Sequence, residues 1–78
     1  MNKIRRKDLE RAIKMLEDAR DIIDTCKNEE QEAFDNLPEG FQQSDRGEAM
    51  EAAVSEMDDA IDEIDRIIDS IQYDVIDV

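Results

Sequence analysis

Carboxylates are the one abundant side chain in this sequence with chemistry to offer: 23 of its 78 residues are Asp or Glu. Carboxylates on facing helices can hold a pair of metal ions, but such sites draw part of their ligand set from Glu-x-x-His motifs, and the chain has no His. Asp58, Asp59, Asp62, Asp65 and Asp69 fall by their spacing on the outer face of a helix, so a solvated row is expected there and not a metal centre. No segment has the spaced ligands and central glycine of a twelve-residue calcium loop. Cys26 is the only cysteine, so it closes no disulfide within the chain and completes no tetrahedral zinc site. With no His to activate it, Cys26 is expected to be a small buried apolar residue on a helix stripe and not a nucleophile. Ser44, Ser55 and Ser70 read as a helix cap and outer-face polar residues. No catalytic, cofactor-binding or metal-binding residue is assigned, and enzymatic activity is not expected.

Charge narrows the partners. The formal net charge is −13, which opposes binding to phosphate backbones and to anionic membrane surfaces. The charge is uneven: residues 1–27 carry eight basic and six acidic side chains, whereas residues 28–78 carry only Arg46 and Arg66 against seventeen acidic. The basic start, Met1 to Lys7, is not followed by the apolar stretch of a signal peptide. No apolar run approaches the roughly 18 residues of a membrane span. A soluble cytoplasmic protein is the expectation.

What positions these side chains is a heptad repeat. Residues 51–78 read as EAAVSEM, DDAIDEI, DRIIDSI and QYDVIDV, and eleven of the twelve third, fourth and seventh places are apolar. That period predicts a long amphipathic helix. Residues 5–36 lack Pro and Gly and repeat more loosely, with Leu9, Leu16 and Ile23 seven apart and Ala12, Ala19, Cys26 and Ala33 likewise. Between the two, Asn36-Leu37-Pro38-Glu39-Gly40 breaks the helix: Pro38 disfavours helical angles at Leu37, and Gly40 tolerates a left-handed turn. Ser44 reads as the N-cap of the second helix, with Asp45 and Glu48 near its positive end. Gly47 costs helix propensity and suggests a close backbone approach, and Phe41 is expected to fold over Leu37 and Met50. The fold class is therefore all-α: one domain, 1–78, an antiparallel two-helix hairpin of about 5–36 and 44–76 with its turn at 37–43. Setting Ala33, Cys26 and Ala19 against Met50, Met57 and Ile64 gives a register in which facing numbers sum to about 83.

A hairpin of this size has a core worth only about 3–5 kcal/mol, and three apolar places per heptad exceed what one seam uses. The spare column Val54, Ile61, Ile68 and Val75 is the expected dimer interface, giving a homodimeric four-helix bundle. Ile4, Tyr73 and Ile76 sit off the seam and gather at the open end with Val78, forming a candidate partner patch.

The stretch from Asn28 to Met50, NEEQEAFDNLPEGFQQSDRGEAM, with Ala60-Ile61-Asp62 after it, resembles small uncharacterised helical-hairpin proteins encoded in phages and prophages. They share an acidic helix, a D-N-L-P-E turn, a Q-x-S-x-x-G segment and an A-I-D-x-I helix, and the match lies mainly over residues 28–68. The resemblance implies a mobile-element setting and a turn that matters (Asn36, Pro38, Gly40, Phe41, Ser44, Gly47); it transfers no activity. The functional expectation is a non-enzymatic acidic module, with no cofactor, that binds and regulates or inhibits an unidentified protein partner. The alternatives are an assembly accessory that binds a partner helix, and a small-ligand sequestering protein with a pocket near Arg20, Lys27 or Arg46 at a dimer interface.

Overall fold

The structure, a computed structural model, describes all residues 1–78 and contains no strand. Helix α1 spans Lys3–Asp35. Asn2 starts it, two residues earlier than expected, because its side-chain oxygen accepts the Arg5 N–H at 2.8 Å. Without an internal Pro or Gly, nothing stops α1 until the approach to Pro38, where the Asn36 N–H still bonds Glu32 at 3.0 Å.

The turn is more structured than the sequence suggests. Residues Glu39–Gln42 form a single helical turn, α2, whose first bond runs from the Phe41 N–H to the Pro38 carbonyl at 2.8 Å. Gly40 sits inside it and no glycine has a positive φ, so the left-handed turn expected at Gly40 does not occur. Pro38, its φ fixed by the ring, is extended before α2, and Ser44 is extended after it; these two breaks flank the turn that reverses the chain. Phe41 is 62% exposed and does not cover the core. Gln42 does that work instead: its side-chain amide donates to the Phe34 and Leu37 carbonyls at 3.2 and 3.3 Å, closing the end of α1.

Helix α3 spans Asp45–Ile71. Ser44 caps it, accepting the Gly47 N–H at 3.3 Å and donating to the Phe41 carbonyl, with Asp45 and Glu48 in the first turn. Gly47 is buried. A β-carbon there would collide with the Gln42 carbonyl and stand 2.7 Å from the Phe41 carbonyl oxygen. Close backbone approach is therefore the reason for this glycine.

Helices α1 and α3 pack antiparallel along a molecule of 58 × 16 × 13 Å. The residues withdrawn from solvent follow a 3–4 spacing on each helix. On α3 they run Gly47, Met50, Val54, Met57, Ile61, Ile64, Ile68 and Ile71, flanked by half-buried Ala53, Ala60 and Asp65; on α1 they run Leu9, Ile13, Leu16, Arg20, Ile23, Lys27, Glu30 and Phe34, flanked by half-buried Ala12 and Glu17. The seam of α1 therefore contains charged residues, and the Ala19–Cys26–Ala33 column expected to face α3 is exposed. The physical reason is snorkelling: Arg20 and Lys27 lay their aliphatic stems across the seam and turn their heads outward to Asp65 and Asp58. Both pairs sum to 85, so the register lies about two residues from the expected one.

After Ile71 the helix widens. Gln72–Ile76 form a π-helical turn, closed by the Asp77 N–H on the Gln72 carbonyl at 2.9 Å. The extra residue rotates the seam, so Ile76 is 6% exposed and Val75 is 41% exposed.

Candidate interaction surface

The seam has two flanks, and they differ in chemistry. Each residue turns the helix by about 100°, and on antiparallel neighbours an equal rotation away from the seam emerges on the same side of the pair. Asp58 and Asp65, each one residue after a seam position, therefore share a side, and there they meet α1. Arg20 donates to Asp65 at 2.8 Å and also lies 3.4 Å from Asp21. Lys27 donates to Asp58 at 2.9 Å with Asp24 at 3.4 Å. The side chains of Arg20 and Lys27 are only 29% and 22% exposed. Hydrogen bonding to Asp65 raises the Arg20 guanidinium pKa and hydrogen bonding to Asp58 raises that of the Lys27 ammonium, partly opposed in each case by desolvation. Of the aspartates expected in one outer row, Asp58 and Asp65 thus belong to an interhelical ion-pair face.

The opposite side holds the residues one place before the seam. On α1 these are Ala12, Ala19, Cys26 and Ala33, with Met15 and Ile22 beside them at 65% and 66% exposure. On α3 the apolar ones are Ala49, Ala53, Ala60 and Ile67, the last 48% exposed, with Arg46, Glu56, Glu63 and Ser70 among them. The result is a long, largely apolar face built from both helices, interrupted by Glu29, Glu56 and Glu63, with Ala12, Ala53 and Ala60 half-buried and the other apolar members exposed. Cys26 lies on it and is exposed, not buried as expected; the column chosen for the seam was the flank.

The expected dimer column changes place for the same reason. Val54, Ile61 and Ile68 are half-buried within the single chain and belong to the line of α3 that faces α1. Val75, the fourth member, is turned out by the π-helical turn. In the neighbouring column Ala53 and Ala60 are also half-buried, and Ile67 is exposed. At the open end Ile4, Tyr73 and Val78 are 74%, 64% and 91% exposed. Ile76 is not part of an exposed patch there: the π-helical turn carries it into the core. By the observed register Ile4 lies beyond the last residue of the second helix, on an overhang of α1.

No family model, curated protein or solved structure matches this chain. Its chemistry is therefore read from its own surface. The back of α3 is densely anionic: of the ten carboxylates from Asp45 to Asp69, only Asp58 and Asp65 meet a cation. No three Asp, Glu or Cys side chains come together in a way that would hold a metal ion. The one concavity is a shallow groove at the end of α3 and on the π-helical turn, lined by Arg66, Ile67, Asp69, Ser70, Tyr73 and Asp74. Arg20 and Lys27, expected near a ligand pocket, are engaged in ion pairs, and Arg46 is exposed. No helix is long and apolar enough to cross a membrane. The sequence reading missed Gln42 and the seam role of Arg20 and Lys27. The available signal was the heptad Ile13, Arg20, Lys27, Phe34, which places two long-stemmed cations between apolar residues.

Proposed function

We propose that this chain is a non-enzymatic, acidic protein-interaction module, a phage or prophage accessory that binds a protein partner and regulates or inhibits it. The observation that carries the reading is the row of carboxylates on α3 that no cation of the chain neutralises. Dense like charge on a rigid rod attracts a basic surface from a distance and rejects anionic competitors. The working form in this reading is a homodimer, a four-helix bundle that doubles the charge and stiffens its display. A second reading, an assembly accessory that binds a partner helix, is favoured by the exposed apolar side chains along α1, since helices dock on such strips through side chains spaced three and four apart.

Salt separates the two. Immobilised protein is exposed to host lysate at low and at 0.15 M salt, beside variants Asp62→Asn with Asp69→Asn and Met15→Asp with Ile22→Asp. The acidic reading expects a retained protein lost with salt and with the Asn pair. The helix-binding reading expects one insensitive to salt and lost with the Asp pair. Retention that neither salt nor either variant changes refutes both.

A further inference from the structure

We propose that the uncovered apolar face is the seat of a second copy of this chain, with α1 of each copy lying against α3 of its partner about a two-fold axis parallel to the helices. The inference rests on the dimeric reading above and names the face and the arrangement. Size permits it: a face on a 58 × 16 Å molecule is large enough for the roughly 800 Å² per partner of a stable interface.

Charge selects the arrangement. An axis across the helices would pair α3 with α3, setting two rows of largely unneutralised carboxylates side by side. An axis along them pairs each α3 with α1, which holds eight of the ten cations of the chain. Such an axis keeps every residue at its own height, so the intrachain register, numbers summing to 85, carries over between copies. The contacts then follow, most of them apolar or small, with Ile22 level with the partner's Glu63 at the edge. Met15 comes level with the partner's Ser70, over the groove beside the partner's Ile67 and the partner's Tyr73. Ala19 stands beside the partner's Ile67, and Cys26 beside the partner's Ala60. Small residues meet large ones, or each other, as close packing requires. Arg11 comes level with the partner's Asp74. Glu29 comes level with the partner's Glu56 at the rim, a like-charge contact that, with the net charge of −13 on each chain, makes association stronger in salt.

The full chain is sedimented to equilibrium at 0.15 M salt and at low salt, with circular dichroism on the same samples. The wild type is expected to be a dimer that tightens with salt, and Met15→Asp with Ile22→Asp a monomer with helicity unchanged, since both side chains are exposed in the single chain. Met15→Cys with Ser70→Cys in a Cys26→Ser background is expected to form a covalent dimer on mild oxidation. Within one chain these positions point away from each other on the outer sides of the two helices, beyond disulfide reach. A wild type that stays a folded monomer at high micromolar concentration overturns this inference and the dimeric reading together. A dimer that survives the Asp pair, or that gives no covalent product from the Cys pair, overturns the face or the arrangement and leaves the dimeric reading standing.

Discussion

Replacing Gly47 by Ala sets two effects of opposite sign against each other. Ala is about 1 kcal/mol better than Gly in a helix interior, and Gly47 lies in the first turns of α3 with ordinary helical angles. On propensity alone the variant would be more stable. The added methyl group, however, lands on the backbone of α2, overlapping the Gln42 carbonyl and crowding the Phe41 carbonyl. Backbone cannot rotate aside as a side chain can, so α2 must shift as a unit. That shift draws the Gln42 amide off the Phe34 and Leu37 carbonyls and loosens the cap between Ser44 and Phe41. Overpacking of this kind costs about 1–3 kcal/mol, and each weakened hydrogen bond adds about 0.5–1.5 kcal/mol. The net expectation is a loss of more than about 1 kcal/mol, which in a domain of this size lowers Tm by roughly 4–8 °C per kcal/mol. Gly40 is the internal control. It lies in α2 with nothing within 4 Å of a β-carbon, so Gly40→Ala is expected to be neutral or stabilising by up to about 1 kcal/mol. Urea unfolding followed by circular dichroism, at one fixed protein concentration, measures both. A Gly47→Ala variant as stable as the wild type would refute the close approach of α2 to α3, and with it the account of the turn.

Ile76→Asp is expected to destabilise by about 2 kcal/mol or more, since burial of an Ile is worth about 1.5–3 kcal/mol, whereas Val75→Asp is expected within about 0.5 kcal/mol of wild type; equal losses in urea unfolding would deny the π-helical turn. Lys27→Met keeps an aliphatic stem in the seam and is expected to change stability at pH 7 only slightly. The Lys27 pKa is raised above its ordinary 10.5 by the hydrogen bond to Asp58, so its contribution is whole below that value and fades as pH rises through the raised pKa. The gap between wild type and Lys27→Met in thermal unfolding should therefore narrow above pH 10.5, and a gap constant through that range would deny the pair. Moving from 0.01 M to 0.15 M salt shortens the screening length from about 30 Å to about 8 Å; with a net charge of −13 and only two interhelical ion pairs, Tm is expected to rise, and a fall would mean that the pairs outweigh the repulsion.

The hairpin was legible because it follows from local features that act alone: a break at Pro38, a cap at Ser44, and apolar residues every three to four positions on both sides of it. Which face of α1 meets α3 was not legible, because α1 carries two stripes of one period. Ala12, Ala19, Cys26 and Ala33 form the uninterrupted stripe, and hydropathy prefers it. The stripe that wins contains Arg20 and Lys27, whose stems bury more surface than an Ala methyl while their heads reach Asp65 and Asp58. A one-letter pattern scores those residues as polar, yet the seam uses them as hydrocarbon. Val75 and Ile76 exchanged roles for a different reason: the heptad extrapolates a constant 3–4 spacing, and a single π-helical turn adds a residue that no hydropathy count anticipates. Both differences bear on the candidate surface. Because α3 spends Val54, Ile61 and Ile68 on its own hairpin, the uncovered face is built around the stripe of α1 that hydropathy had assigned to the core. Ala19, Cys26 and Ala33 keep seven-residue order in a column that ends up exposed, and that is the physical ground for expecting another helix against it.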